Sequence, residues 1–194
     1  DLLTVNVYDT LTTGPSTIFN NVPSDYTGRK NTKGALVATA FRTRQGAEWN
    51  YKFYSYDARG RVVKLWTFIY GLGWKSEKYN YDSQNKITAN QYQPDQTDAK
   101  SFANAYDFLG RLTNITTYAG SAPIEPSEEN DLPLTFEQLA TYQYNENSQI
   151  TTNGFKSGMP VNNYVYNTRN WVASMRSTNS GSTFFEFGLS YNPN

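Results

Sequence analysis

The chain has 194 residues, 17 basic and 17 acidic side chains, no His and no Cys, and it carries 4 Trp, 16 Tyr and 11 Phe. A chain of this length buries roughly 70% of the surface it exposes when unfolded, so a real core is expected. Balanced charge excludes the basic field that meets phosphates, so nucleic acid is not an expected partner, and the missing His and Cys exclude an imidazole base, a thiolate nucleophile, a disulfide and the commonest metal ligands.

Only 38% of residues are apolar, yet 16% are aromatic. Disordered chains are poor in aromatics, so this is a folded chain with a core of Tyr, Phe, Trp and β-branched residues, which pack well on a pleated surface. The composition predicts an all-β protein. No run of about 20 apolar residues is present, so no membrane-spanning helix is expected. The opening Asp1-Leu2-Leu3-Thr4-Val5 lacks the pattern of a signal peptide. With no starting Met and an ending at Pro193-Asn194, the chain reads as a piece of something longer.

In chain order, residues 1–50 read as an irregular β segment. Leu36 to Arg42 and Asn50 to Phe53 are predicted strands, with turns at Gly34 and at Gln45-Gly46. Residues 51–194 are organised by a repeat, of which Tyr26-Thr27-Gly28-Arg29 is a weak echo. Tyr54-Ser55-Tyr56-Asp57-Ala58-Arg59-Gly60-Arg61-Val62 returns as Tyr79 to Ile87, as Asn104 to Leu112, and more weakly as Tyr142 to Ile150 and Tyr164 to Val172. A last copy begins at Tyr191-Asn192. The marker Tyr falls at 56, 81, 106, 144, 166 and 191, at intervals of 25, 25, 38, 22 and 25. The long interval holds a Pro- and Glu-rich stretch, about 119–133, which reads as an inserted loop.

Each repeat has readable chemistry. Tyr-x-Tyr places two rings on one face of a strand. The acid after it can accept from a backbone N–H two residues on and start a turn. Gly three residues later suits the left-handed backbone that closes it. The turn-forming positions are thus Tyr56, Asp57, Gly60, Tyr81, Asp82, Tyr106, Asp107, Gly110, Tyr144, Asn145, Tyr166 and Asn167. Asn85 and Asn170 replace Gly in two copies, and Asn tolerates positive φ. In the copy at Ser148, Asn147 is expected to take the left-handed position and shift the tip by one. Lone hairpins are marginal, so the copies are expected to stack into a curled antiparallel meander of ten or more strands.

Tyr56-Asp57-Ala58-Arg59-Gly60-Arg61 and Tyr106-Asp107-Phe108-Leu109-Gly110-Arg111 resemble the YD repeat of the Rhs family, over roughly residues 34–194. The resemblance implies a large hollow shell of wound hairpins, in toxin systems enclosing a C-terminal effector, in a secreted or surface-exposed bacterial parent. The partner it implies is the rest of the parent polypeptide with that effector. The family's self-cleaving core has no counterpart here, so no catalytic residue is carried over, and neither a cofactor nor a metal is expected.

Other readings compete. Asp57, Asp82 and Asp107 could form a carboxylate or Ca²⁺ set, but equivalent repeat positions favour turn capping. Ser83 and Lys86 match a Ser-x-x-Lys nucleophile pattern, which needs a helix, whereas these two residues fall on a hairpin tip. Trp49, Trp66, Trp74 and Trp171 could stack on sugars, making a carbohydrate-binding module the alternative function and a glycan the alternative partner. The competing role is core packing. Trp74, near a turn, is the candidate expected to stand most exposed.

Overall fold

The structure, a computed structural model, describes residues 3–9, 18–19, 21–26, 31–94, 96–119 and 136–191. The stretch predicted as an inserted loop lies, apart from its first residue, outside the described residues.

The described residues form β1 (Thr4–Tyr8), β2 (Leu36–Phe41), β3 (Asn50–Tyr56), β4 (Val62–Ile69), β5 (Gly73–Tyr81), β6 (Ile87–Tyr92) and β7 (Lys100–Tyr106). They continue with β8 (Leu112–Ala119), β9 (Phe136–Tyr144), β10 (Ile150–Phe155), β11 (Val161–Tyr166), β12 (Val172–Asn179) and β13 (Ser182–Gly188). The order follows the chain from β1 to β13 with no crossover. The expected all-β meander is therefore what forms, and no helix occurs among the described residues. By compactness the chain divides between Ser101 and Phe102, within β7.

In the first unit β1 to β6 pair antiparallel with their neighbours. Alternation places Ala38 and Ala40 of β2, Tyr51 and Phe53 of β3, Trp66 and Phe68 of β4 and Trp74 of β5 on one face. Phe19 and Tyr26, from the segment between β1 and β2, lie over that face and complete its core. The rings meet edge-on or tilted, Tyr26 to Trp66 at 5.2 Å and Phe19 to Phe53 at 6.0 Å between centroids. Such contacts add to what area burial alone contributes. Phe53 is completely enclosed.

In the second unit β8 to β13 pair in the same manner. Where the first unit has the pair Phe53 and Trp66, the equivalent cross-strand pairs here are Thr141 with Gly154 and Asn163 with Arg176. Small and polar side chains occupy the positions that are aromatic in the β3–β4 hairpin, as Lys78 and Gln91 do in the β5–β6 hairpin of the first unit. The Thr141 hydroxyl stands where a Cβ on Gly154 would meet it at 2.9 Å, which explains the glycine inside that strand.

Candidate functional site

The residues that the repeat singles out form hairpin tips, and the tips share one geometry. In the first unit Asp57 Oδ1 accepts from Arg59 N at 2.8 Å and from Arg61 N at 3.0 Å, while Asp57 N donates to the Arg61 carbonyl at 2.9 Å. Gly60 donates its N–H back to the Asp57 carbonyl at 3.1 Å, with φ +77°. Asp82 repeats the pattern with Gln84 N at 2.8 Å and Lys86 N at 2.9 Å, and Asn85 takes the left-handed position at φ +68°. A register shift marks the strand end just before each tip, at Ser55/Tyr56 and at Asn80/Tyr81. Such a bulge adds twist and leaves the turn room to close.

In the second unit Asp107 accepts from Leu109 N at 3.0 Å and Arg111 N at 2.9 Å, and Gly110 sits at φ +81°. Asn145 accepts from Asn147 N and Gln149 N at 3.0 Å each. Asn167 accepts from Arg169 N at 2.9 Å and Trp171 N at 3.0 Å, with Asn170 at φ +62°. One correction concerns the tip at Asn145. Ser148, not Asn147, adopts the left-handed backbone, at φ +61°, and the tip is not shifted. The Asn145 side-chain oxygen holds the same two N–H groups as elsewhere, and that outweighs the poor fit of Ser to this conformation.

Neighbouring tips are tied together by residues whose reach the spacing does not reveal. Arg61 pairs through Nε with Asp57 Oδ2 at 2.6 Å and extends Nη1 to the Asp82 carbonyl at 3.1 Å and Asn85 Oδ1 at 3.0 Å. Its guanidinium also lies 4.5 Å from the Tyr81 ring centre. Arg111 does the same in the second unit: Asp107 Oδ2 at 2.7 Å, the Asn145 carbonyl at 3.1 Å, Ser148 Oγ at 3.2 Å and the Tyr144 ring at 4.6 Å. A planar fork serves these directions at once, which an ammonium cannot. At the next tip Gln149 Nε2 reaches the Asn170 carbonyl at 3.0 Å. Trp171 occupies this position in the tip at Asn167 and packs at a tilt on Tyr191, with centroids 4.9 Å apart. The sequence signal for the ties is the Arg that follows Gly in the two full Asp-x-x-Gly-Arg copies.

The marker tyrosines tie strands as well. Tyr81 donates its hydroxyl to the Val62 carbonyl, Tyr144 to Leu112 and Tyr166 to Ile150, each at 2.8 Å. Burial pushes the hydroxyls of Tyr56, Tyr81, Tyr144 and Tyr166 above the ordinary phenol value, so they remain donors. The Asp57 carboxyl is held below the usual carboxylate range, chiefly by the Arg61 N–H and then by the guanidinium. At Asp107 partial enclosure alone would raise the value, and the Arg111 N–H and guanidinium outweigh it.

Asp57 and Asp82 thus face backbone N–H groups of separate tips, and so does Asp107. Among the described residues no three acidic side chains gather as metal ligands. Lys86 directs its ammonium at Gln84. The expectation that Trp74 stands exposed is corrected: it is half-buried, packed on Phe53 at 5.7 Å and Phe68 at 5.3 Å, with its N–H on Asn21. Asn21 and the rings of Phe19 and Tyr26, which come from another part of the chain, enclose it. Trp49 lies under Arg42, Trp66 is buried, and Trp171 is 45% exposed.

No protein-family model and no curated protein matches the chain. Solved structures of toxin chains do match in fold. The Photorhabdus luminescens Tc holotoxin pore is similar over 98% of this chain, with a TM-score of 0.65 and 10% identity. TcdB2-TccC3 is similar over the same share with a TM-score of 0.64, and TcdB2-TccC3-Cdc42 over 74% with a TM-score of 0.52 and 18% identity. The chain spans only 6–9% of the length of these proteins. The fold is therefore that of a hairpin meander found within Tc toxin chains.

Proposed function

We propose that the chain is a non-catalytic segment of a shell wall, of the YD-repeat kind, that encapsulates a toxin. The parent would be a secreted or surface-exposed protein, and the partner an effector segment that the wall encloses. The observation that carries this reading is the repeated tie between neighbouring tips, in a chain whose fold is similar to a Tc holotoxin over nearly its whole length. Charge-assisted bonds between successive hairpins suit a wall that must hold together rather than open and close. The tip carboxylates accept from backbone N–H groups and arginine, an arrangement suited to holding turns rather than to proton transfer.

The test is limited proteolysis of the intact parent protein. The C-terminal segment is expected to resist protease in the native parent and to be digested once denaturant opens the shell. Equal digestion before and after denaturation would overturn the proposal.

A further inference from the structure

The pairing that flanks a tip recurs where the sequence shows no repeat, with Asp9 itself at φ +66°, unlike the acid or amide of the other tips. Tyr8 of β1 pairs with Leu36 of β2, and the register shifts just before Tyr8, between Val7 and Tyr8. This matches Tyr56 with Val62, Tyr81 with Ile87 and Tyr166 with Val172, each next to its own register shift. Asp9 N donates to the Ala35 carbonyl at 3.0 Å, as Asp57 N does to Arg61 at 2.9 Å. Gly34 stands at φ +72°, where Gly60 stands at +77°, and its N–H donates to Asp9 Oδ1. The Leu36 carbonyl accepts the Tyr56 hydroxyl at 2.6 Å, as the Val62 carbonyl accepts Tyr81 at 2.8 Å. Val5 opposite Ala40 corresponds to Phe53 opposite Trp66.

We infer that Tyr8-Asp9 and Gly34-Ala35-Leu36 are the two halves of one further hairpin repeat, whose two central tip residues are replaced by an insertion, residues 10–33. Its described residues Phe19, Asn21, Asp25 and Tyr26 serve as a built-in cover for the aromatic face of β3 to β5. Asp25 accepts from Trp66 Nε1 at 2.8 Å and pairs with Lys64 at 2.5 Å. Tyr26 donates to the Val37 carbonyl at 3.1 Å, and Asn21 accepts from Trp74 Nε1 at 3.3 Å. Phe19 and Tyr26 fill the space between these anchors. Beneath Phe19 and Tyr26 the repeat-equivalent pair is Phe53 with Trp66, whereas it is Lys78 with Gln91 in the β5–β6 hairpin and Thr141 with Gly154 or Asn163 with Arg176 in the second unit. A large apolar patch left in water invites association, so an aromatic face and its cover belong together.

Two variants of this chain test the inference. The first replaces residues 10–33 by Ala-Arg, the central pair of the Asp57 tip. The second adds Phe53→Thr and Trp66→Arg, the residue types found at the second unit's equivalent pairs. The first is expected to keep its β circular dichroism, shift its Trp emission to the red and bind a hydrophobic dye. The second is expected to keep the β signal and to bind less dye than the first. Aggregation of the first alone, with the second folded and soluble, supports the cover equally. Loss of β signal in both would overturn the insertion, and unchanged Trp emission in the first would overturn the cover.

Discussion

The Tyr144 hydroxyl donates to the Leu112 carbonyl at 2.8 Å, across 32 residues of chain. Leu112 opens the return strand after the Asp107 tip, and Tyr144 closes the strand that runs into the next tip. The relation recurs for Tyr56 with Leu36, Tyr81 with Val62, Tyr166 with Ile150 and Tyr191 with Val172. Each of these five tyrosines is thus the link between a hairpin and the one before it. Tyr144→Phe is expected to lower unfolding stability by about 1 kcal/mol, the usual net worth of one such bond. Urea denaturation measures it, and an unchanged midpoint would show the hydroxyl to be dispensable.

Ser148 holds a left-handed backbone that suits Asn better, and it accepts from Arg111 as Asn85 accepts from Arg61. Ser148→Asn keeps the acceptor and relieves the backbone. It is expected to stabilise the chain by about 0.5 kcal/mol, read as a raised thermal midpoint.

Local turn chemistry was legible because it acts within four residues. Asp57, Gly60 and the alternation on either side carry their own instruction. What escaped depends on distant chain. The tip at Asn145 looked shifted because Ser148 is a poor left-handed residue, and Arg111, which seats it, lies 37 residues away. Trp74 looked exposed because Asn21 and the rings laid over that face come from another part of the chain. Tyr8-Asp9 and Gly34 showed no repeat because the insertion between them breaks the spacing that periodicity detects. The all-β class survived these errors, since strand alternation needs no long-range partner.

The acid response has a defined sign. Asp57 and Asp107 have folded values below the ordinary 3.8. A lowered carboxyl contributes stability that is present above the unfolded value and is lost as pH falls through the folded one. Stability is therefore expected to hold above about pH 4 and to decline below it. Asn145 and Asn167 cannot titrate, so their tips contribute nothing to this decline. The Asp57→Asn, Asp107→Asn double variant is expected to flatten the acid limb of a urea-midpoint profile. A limb of unchanged slope would assign acid sensitivity to other groups.

Phe53 is fully enclosed, beneath Phe19 and Tyr26. Phe53→Ala is expected to cost about 3–5 kcal/mol, as large core truncations do. Thr141→Ala, at the equivalent position of the second unit, is expected to cost under about 1 kcal/mol. Equal losses in urea denaturation would contradict the difference between the two faces.

The most direct test of interlocked hairpins is hydrogen exchange after Arg111→Ala. Arg111 holds its own tip through Asp107 and the next through the Asn145 carbonyl and Ser148. Exchange is predicted to speed up both at the amides of Leu109 and Arg111 and at those of Asn147 and Gln149. Acceleration confined to residues 107–111 would show that each hairpin stands alone, and would contradict the account.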